Sequence, residues 1–159
     1  MMMKKALAAL ALTVALTGLT QAGAAMAGPV FTGQEGEVAV SGYDAVSYFT
    51  GDGTPAKGSP EHAVMHKGAV YQFVSIANAE TFRADPERYA PQYGGHCAWA
   101  MARGSLAPGD PMQSRVVDGK LYLNFNAEVR QMWVKDVPGF IISADKNWPD
   151  FPDDAKFGG

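Results

Sequence analysis

Two segments of the chain carry apolar and polar residues in the alternation that is typical of β-hairpins. The first runs from Ala63 to Val74 around the pair Lys67-Gly68, and the second runs from Gln113 to Phe125 around Asp118-Gly119. Asp-Gly is the stronger turn signal, because a two-residue hairpin turn needs positive φ angles at both central positions. Both segments predict a β-hairpin, and in the first hairpin we expect one strand to be well buried.

Short helices are predicted between and after the hairpins. Ser75 or Asn78 is the expected N-cap after the first hairpin, and Asn126 is the expected N-cap after the second. The predicted helices are Asn78–Arg83, Pro86–Tyr89, 126–134 and 138–144, with a short helix or turn over Tyr43–Thr50 and a short extended piece over Val38–Val40. Two hairpins among four or five short helices predict an α+β fold in a single domain, and no internal repeat is evident.

The N-terminal segment has the pattern of a cleavable signal peptide. Lys4 and Lys5 precede an apolar run, Ala6–Leu19, of about 14 residues, which as a helix is roughly 21 Å long and too short for a bilayer core of about 30 Å. The small residues of Ala25-Met26-Ala27 then predict cleavage after Ala27, with Ala24 as the alternative. We therefore expect an exported protein, located in the periplasm, whose mature chain has no membrane span.

The rest of the chain divides into a domain with two loose ends. We expect residues 28–37 to form a mobile lead, residues 38–148 to form the domain, and residues 149–159 to form a loose tail. Without Lys4 and Lys5 the mature chain has 11 basic and 16 acidic residues, a formal charge of about −5. The basic residues form no cluster, which argues against binding to nucleic acid.

Cys97 is the single cysteine, so the domain cannot contain an internal disulfide. It lies in a nine-residue segment of unusual chemistry, Tyr93-Gly94-Gly95-His96-Cys97-Ala98-Trp99-Ala100-Met101. If Cys97 begins a helix, the helix dipole and a charged His96 would favour its thiolate, and Met101 would share its helix face.

This segment predicts the candidate site. Cys97, His96 and Met101 are the candidate ligands of a soft metal such as copper, and Tyr93, Gly94, Gly95 and Trp99 are the candidate contacts of a small ligand. The alternative is that Cys97 and Met101 are core residues, since free cysteine is among the most buried residue types.

Other candidate chemistry is weaker. His62 and His66 are four residues apart, but in an extended segment they would lie roughly 13 Å apart, so we do not expect them to share a metal. The sequence contains no nucleophile elbow, phosphate loop, dinucleotide fingerprint or zinc-protease motif. We therefore predict no catalytic residue, although a cysteine enzyme that recruits a distant histidine remains an alternative.

Five blocks of the sequence resemble, in the same order, those of the YHS domain family, and the later two resemble its exported bacterial branch. The blocks are Gly42–Phe49, His66–Ser75, Phe82–Tyr89, Tyr93–Ala98 and Val117–Asn124. The resemblance covers about Val40–Pro149, and it implies a small binding module.

The sequence departs from the family where metal-binding members carry their thiols. The resemblance aligns those cysteines with Ser47, Val74 and Asn78. Valine has no donor atom, and serine and asparagine are poor ligands for soft metals. A metal in this chain would therefore need a different site, at Cys97.

Together these observations predict an exported, non-catalytic YHS-like domain that binds a soft metal or a small ligand near Cys97. The first alternative is a thiol-dependent enzyme or redox protein that uses Cys97. The second is a structural or partner-binding module in which Cys97 is a core residue. A buried Cys97 would favour this second alternative.

Overall fold

The two predicted hairpins form two separate antiparallel sheets in the computed structural model, which describes residues 29–33, 38–153 and 155. The elements in chain order are β1 (Ser59–His66), β2 (Ala69–Phe73), α1 (Ile76–Ala84), α2 (Pro86–Tyr89), α3 (Ala98–Ala102), β3 (Asp110–Val117), β4 (Lys120–Asn124), α4 (Ala127–Trp133) and α5 (Val137–Asn147). Four short 3₁₀ turns cover Ala39–Gly42, Ser47–Phe49, Gln92–Gly95 and Trp148–Asp150. The prediction of a single α+β domain is confirmed.

The predicted signal peptide, residues 1–27, lies outside the described residues, as do residues 28, 34–37, 154 and 156–159. Residues 29–33, the described part of the N-terminal lead, contact the domain. The Phe31 N–H donates to the Gly94 carbonyl at 2.8 Å. At the other end, Phe151 packs against the core. Within the described residues, no helix is both long enough and apolar enough to cross a membrane.

Each hairpin is fixed by its turn and bent by an irregularity near its open end. Asp118 and Gly119 adopt the expected positive φ angles of 50° and 73° in the β3–β4 turn, and Lys67 and Gly68 do the same in the β1–β2 turn. β1 and β3 both begin earlier than the alternation predicts, because a bulge separates the first residue pair of each hairpin from the regular register.

The helices begin where short polar side chains satisfy their first N–H groups. Ser75 accepts from the Asn78 N–H, and Asn126 accepts from the Val129 N–H, so both predicted caps are confirmed. The extended piece predicted over Val38–Val40 is wrong. Ala39–Gly42 instead forms a 3₁₀ turn, and only Val38 makes an extended bridge, to Val70.

The structure contains a repeat that the sequence conceals. β3 begins at residue 110 and β1 at residue 59, a difference of 51, and β4 follows β2 at the same spacing, from 69 to 120. The capping residues repeat as well, with Ser75 and Asn126 before α1 and α4. We call residues 39–90 the first unit and residues 92–147 the second unit.

Few identities mark the two units in the sequence. Over residues 59–90 and their partners 51 positions later, only four of 32 pairs are identical. They are Pro60 with Pro111, Gly68 with Gly119, Tyr71 with Tyr122, and Asp85 with Asp136. A strand proline, a turn glycine, a helix cap and one core tyrosine are thus kept, while the rest of the core is filled by different side chains.

β4 joins the two hydrophobic clusters of the domain. Leu121 and Leu123 point into the first cluster, with Phe73 and Phe82, while Tyr122 between them belongs to the second cluster, with Trp133. Successive residues of a strand face opposite sides, so one strand serves both clusters. This explains why the two units form one domain.

Trp133 is fully buried in the second cluster. We expect Trp133→Ala to lower the free energy of unfolding by about 3–5 kcal/mol, because the change leaves a large cavity. Chemical denaturation measures the loss, and Ile142→Ala is the matched control because Ile142 is 72% exposed on α5. Equal losses in the two variants would contradict the placement of Trp133 in the core.

Candidate functional site

A left-handed turn shapes the segment that the sequence singles out. Tyr93, Gly94 and Gly95 have consecutive φ angles of 55°, 60° and 84°. Gly94 is required there for a second reason, since a Cβ atom at this position would lie 2.1 Å from the Pro29 carbonyl oxygen. The turn therefore holds the described lead against the domain and directs the next residues into the interior.

Cys97 stands immediately before α3, at its N-cap, but its thiol is not exposed. The residue has 0% exposure, and its backbone N–H donates to the Ala107 carbonyl at 2.9 Å. Burial raises the pKa of the Cys97 thiol, while the backbone N–H groups of Ala100, Phe125 and Trp99 act in the opposite direction. The expectation of a stabilised thiolate is therefore not met, and the buried thiol favours the core alternative.

The neighbouring His96 does not supply a positive charge to Cys97. Its Nε2 lies 3.1 Å from the Pro29 carbonyl oxygen, which requires a proton on that nitrogen, and its ring lies between those of Phe31 and Trp148. Burial lowers the pKa of His96 to about 4, against the opposing effect of the Pro29 and Ala107 carbonyls. At neutral pH the imidazole is uncharged.

The remaining predicted metal ligand, Met101, is fully buried in the second hydrophobic cluster. Its N–H donates to the Cys97 carbonyl, as a helical spacing of four requires. Among residues 29–33, 38–153 and 155, no group of three or more His, Cys, Asp or Glu side chains is placed to hold a metal ion. The soft-metal site stays a prediction.

The three positions that the family resemblance aligns with metal thiols surround a buried carboxylate. Asp44 accepts hydrogen bonds from the Ser47 N–H, from the Val74 N–H and from the Asn78 side-chain amide. The hydrogen-bonded acid therefore ties these three segments together.

A small cleft of about 100 Å³ lies where the first unit meets the Tyr93–Gly95 turn. We call it the Tyr93 cleft. Its walls include Tyr93, Gly94 and Trp148 on one side and His66, Lys67 and Glu87 on the other. Tyr93 and Gly94 were predicted as ligand contacts, and the structure places both in the cleft.

The other predicted contacts are elsewhere. Gly95, Trp99, Cys97 and Met101 are not among the residues that line the Tyr93 cleft. Trp99 instead lies under the Arg103 guanidinium group, 4.7 Å from its carbon to the ring centroid. The sequence segment thus contributes to the cleft through its first two residues only.

Three charged or titratable side chains meet at the mouth of the cleft. Glu87 lies 2.9 Å from the Lys67 ammonium and 3.4 Å from His66 Nε2. The hydrogen bond from Lys67 lowers the pKa of Glu87, and burial lowers the pKa of His66. At neutral pH the cleft thus presents one cation, one anion and one neutral imidazole.

Nothing in the sequence marks this trio as a site. Lys67 belongs to a hairpin turn, where an exposed lysine is ordinary, and Glu87 is 20 residues away in α2. The spacing in the sequence pairs His66 with His62, which does not line the cleft.

No family model, no curated protein and no solved structure matches this chain.

The buried imidazole predicts a pH dependence. Because the pKa of His96 is lowered on folding, the unfolded chain binds the extra proton more readily below its ordinary pKa of 6.5. We expect wild-type stability to fall relative to His96→Gln as the pH is lowered from 7 to 5, measured by urea unfolding. Parallel pH profiles for the two proteins would contradict the placement of a buried, neutral His96.

A Cu(I) titration against a competing chelator decides between the soft-metal prediction and the alternative that Cys97 is a core residue, which its burial favours. Because the Cys97 thiol is buried and its pKa is raised, we expect wild type and Cys97→Ser to have the same Cu(I) affinity. A loss of at least about tenfold in Cys97→Ser, with a parallel loss in Met101→Leu, would instead establish the thiol and thioether as copper ligands.

Proposed function

We propose that this chain is a non-catalytic binding domain of YHS type that acts in the periplasm and holds a small polar ligand in the Tyr93 cleft. The observation that carries the proposal is the meeting of Lys67, Glu87 and His66 opposite Tyr93 and Trp148. A few convergent polar groups beside aromatic walls are typical of small-molecule sites.

The size of the cleft limits the ligand. One water molecule needs about 10–15 Å³ of cavity volume. A cleft of about 100 Å³ therefore has room for a molecule of only several heavy atoms. The ammonium of Lys67 and the carboxylate of Glu87 suit a ligand that carries both an acceptor and a donor. Small amino acids and related zwitterions have this chemistry.

Side chains that line the cleft are held in position by contacts within the protein, without a ligand. The Tyr93 hydroxyl donates to Asp145 at 2.8 Å, which fixes one wall to α5. His66 packs edge-on against Tyr71 and Phe82, which fixes the other wall to the first hydrophobic cluster. Such preorganisation reduces the entropy lost on binding.

The proposed periplasmic location and the proposed class of protein, a YHS-type binding domain, rest on the sequence. The predicted signal peptide supports a periplasmic protein, and the resemblance to YHS domains supports a binding module. Burial of Cys97 supports a core role for the thiol in place of a ligand contact. The thiol-enzyme alternative is less well supported, because the adjacent His96 is neutral and bonded to the lead.

The proposal is tested by ligand binding to purified mature protein. Native mass spectrometry of protein taken from the periplasm identifies a bound molecule, and calorimetry with that molecule, or with a panel of small amino acids, carboxylic acids and amines, gives its affinity. We expect Glu87→Gln to weaken binding by about 10–100-fold, the loss expected for one charged hydrogen bond.

Glu80→Gln is the matched control, because Glu80 is an exposed acid on α1 that does not line the cleft. Its affinity should stay within about twofold of wild type. Absence of any bound molecule and of any response in the panel, or an equal effect of both substitutions, would overturn the proposal.

A further inference from the structure

The two units begin with the same unusual backbone. Val40, Ser41 and Gly42 form a left-handed turn with φ angles of 53°, 49° and 76°, and the Tyr93–Gly95 turn has the same form. The second residue after each turn is Asp44 in the first unit and Cys97 in the second. The backbone hydrogen bonds of these two residues are equivalent. The Asp44 N–H donates to the Ala56 carbonyl at 2.8 Å, and the Cys97 N–H donates to the Ala107 carbonyl at 2.9 Å. Each acceptor directly precedes a residue that forms an isolated β-bridge with the residue before the donor.

In the first unit this position holds a fully buried carboxylate. Asp44 Oδ1 accepts from the N–H groups two and three residues later, those of Val46 at 2.8 Å and Ser47 at 3.2 Å. Oδ2 accepts from the Val74 N–H at 3.0 Å and from the Asn78 amide at 2.7 Å. Four donors satisfy the charge that burial would otherwise penalise.

In the second unit the corresponding N–H groups belong to residues near the Cys97 sulfur. Trp99 and Ala100 are two and three residues after Cys97, and Phe125 follows β4 as Val74 follows β2. The N–H groups of these three residues lie close enough to the thiol to act on its titration. The thiol nevertheless makes no capping hydrogen bond with α3.

A buried amide beside the sulfur has an unused donor. Asn124 is fully buried, its Oδ1 lies 3.9 Å from Cys97 Sγ, and it accepts from the Trp99 N–H at 3.4 Å. Its Nδ2 is buried and has no hydrogen-bond partner in the described part of the chain. A half-turn of the amide exchanges Oδ1 and Nδ2, which presents a donor to the Cys97 position. A thiol leaves this donor unused, whereas an oxyanion accepts from it.

We propose that the second unit retains the anion site of the first, with Cys97 Sγ at the position of the Asp44 carboxylate and with the Asn124 amide in the role of Asn78. The site takes a carboxylate-like oxyanion attached at residue 97. Val129, which stands 51 positions after Asn78, has no donor, and so the amide comes from β4 in its place.

The proposal is tested by placing a carboxylate at this position in the full mature domain. We expect Cys97→Asp to fold and to melt within about 4 °C of Cys97→Ser at pH 7. Ala144→Asp is the matched control, because Ala144 is equally buried but lies inside α5, where the N–H groups are already bonded. It should lose more than about 10 °C or fail to fold.

The pH profile separates an anion site from mere tolerance of a buried acid. In an anion site the carboxyl pKa is held below its unfolded value of about 3.9, so the melting temperature of Cys97→Asp relative to Cys97→Ser stays flat from pH 7 to 5 and falls below about pH 4. A relative melting temperature that rises as the pH falls from 7 to 5 would show a raised pKa and overturn the proposal.

A double-mutant cycle tests the role of Asn124. Asn124→Leu should cost at least about 4 °C more in the Cys97→Asp background than in the Cys97→Ser background, because only the carboxylate uses the amide donor. Equal effects in the two backgrounds would remove Asn124 from the site. Failure of Cys97→Asp to fold at pH 7 would overturn the proposal as a whole.

Discussion

The buried carboxylate of Asp44 is the constraint on which the first unit depends. Its four hydrogen bonds join the loop at residues 44–47, the end of β2 at Val74 and the first turn of α1 at Asn78. A buried charge is stable only when its donors are all in place, so the acid fixes the relative positions of these segments. The hairpin of the first unit is thereby set against its helix, and one wall of the Tyr93 cleft follows from that arrangement.

The second unit repeats the backbone of this construction with the Cys97 thiol in place of the carboxylate. Trp133, Met101 and Ala144 belong to its buried cluster, which Tyr122 of β4 joins. The Tyr93 cleft lies where the two units meet, with His66, Lys67 and Glu87 from the first unit, Tyr93 from the second unit, and Trp148 from the turn that follows it. Sites at the junction of two packed parts are common, because neither part closes the gap by itself.

The chemistry of Cys97 and His96 depends on burial more than on residue type. A thiol and an imidazole side by side suggest a reactive pair, but neighbouring side chains in an extended backbone point apart. His96 accordingly meets Pro29 of the lead, while Cys97 faces Asn124. Burial then disfavours the charged form of each. For Cys97 this is the reverse of what a nucleophile or a soft-metal ligand requires, because the thiolate is the reactive and ligating form.

The sequence by itself determined the local elements: both hairpins with the Asp118-Gly119 turn, the caps at Ser75 and Asn126, and the α+β class. These features follow from the residues next to them in the chain. Only the tertiary structure decided that Asp44 and Cys97 occupy equivalent positions, that the thiol is buried, and that Lys67, Glu87 and Tyr93 share a cleft. These relations join residues 20 or more positions apart, and they depend on backbone geometry that different side chains satisfy equally well.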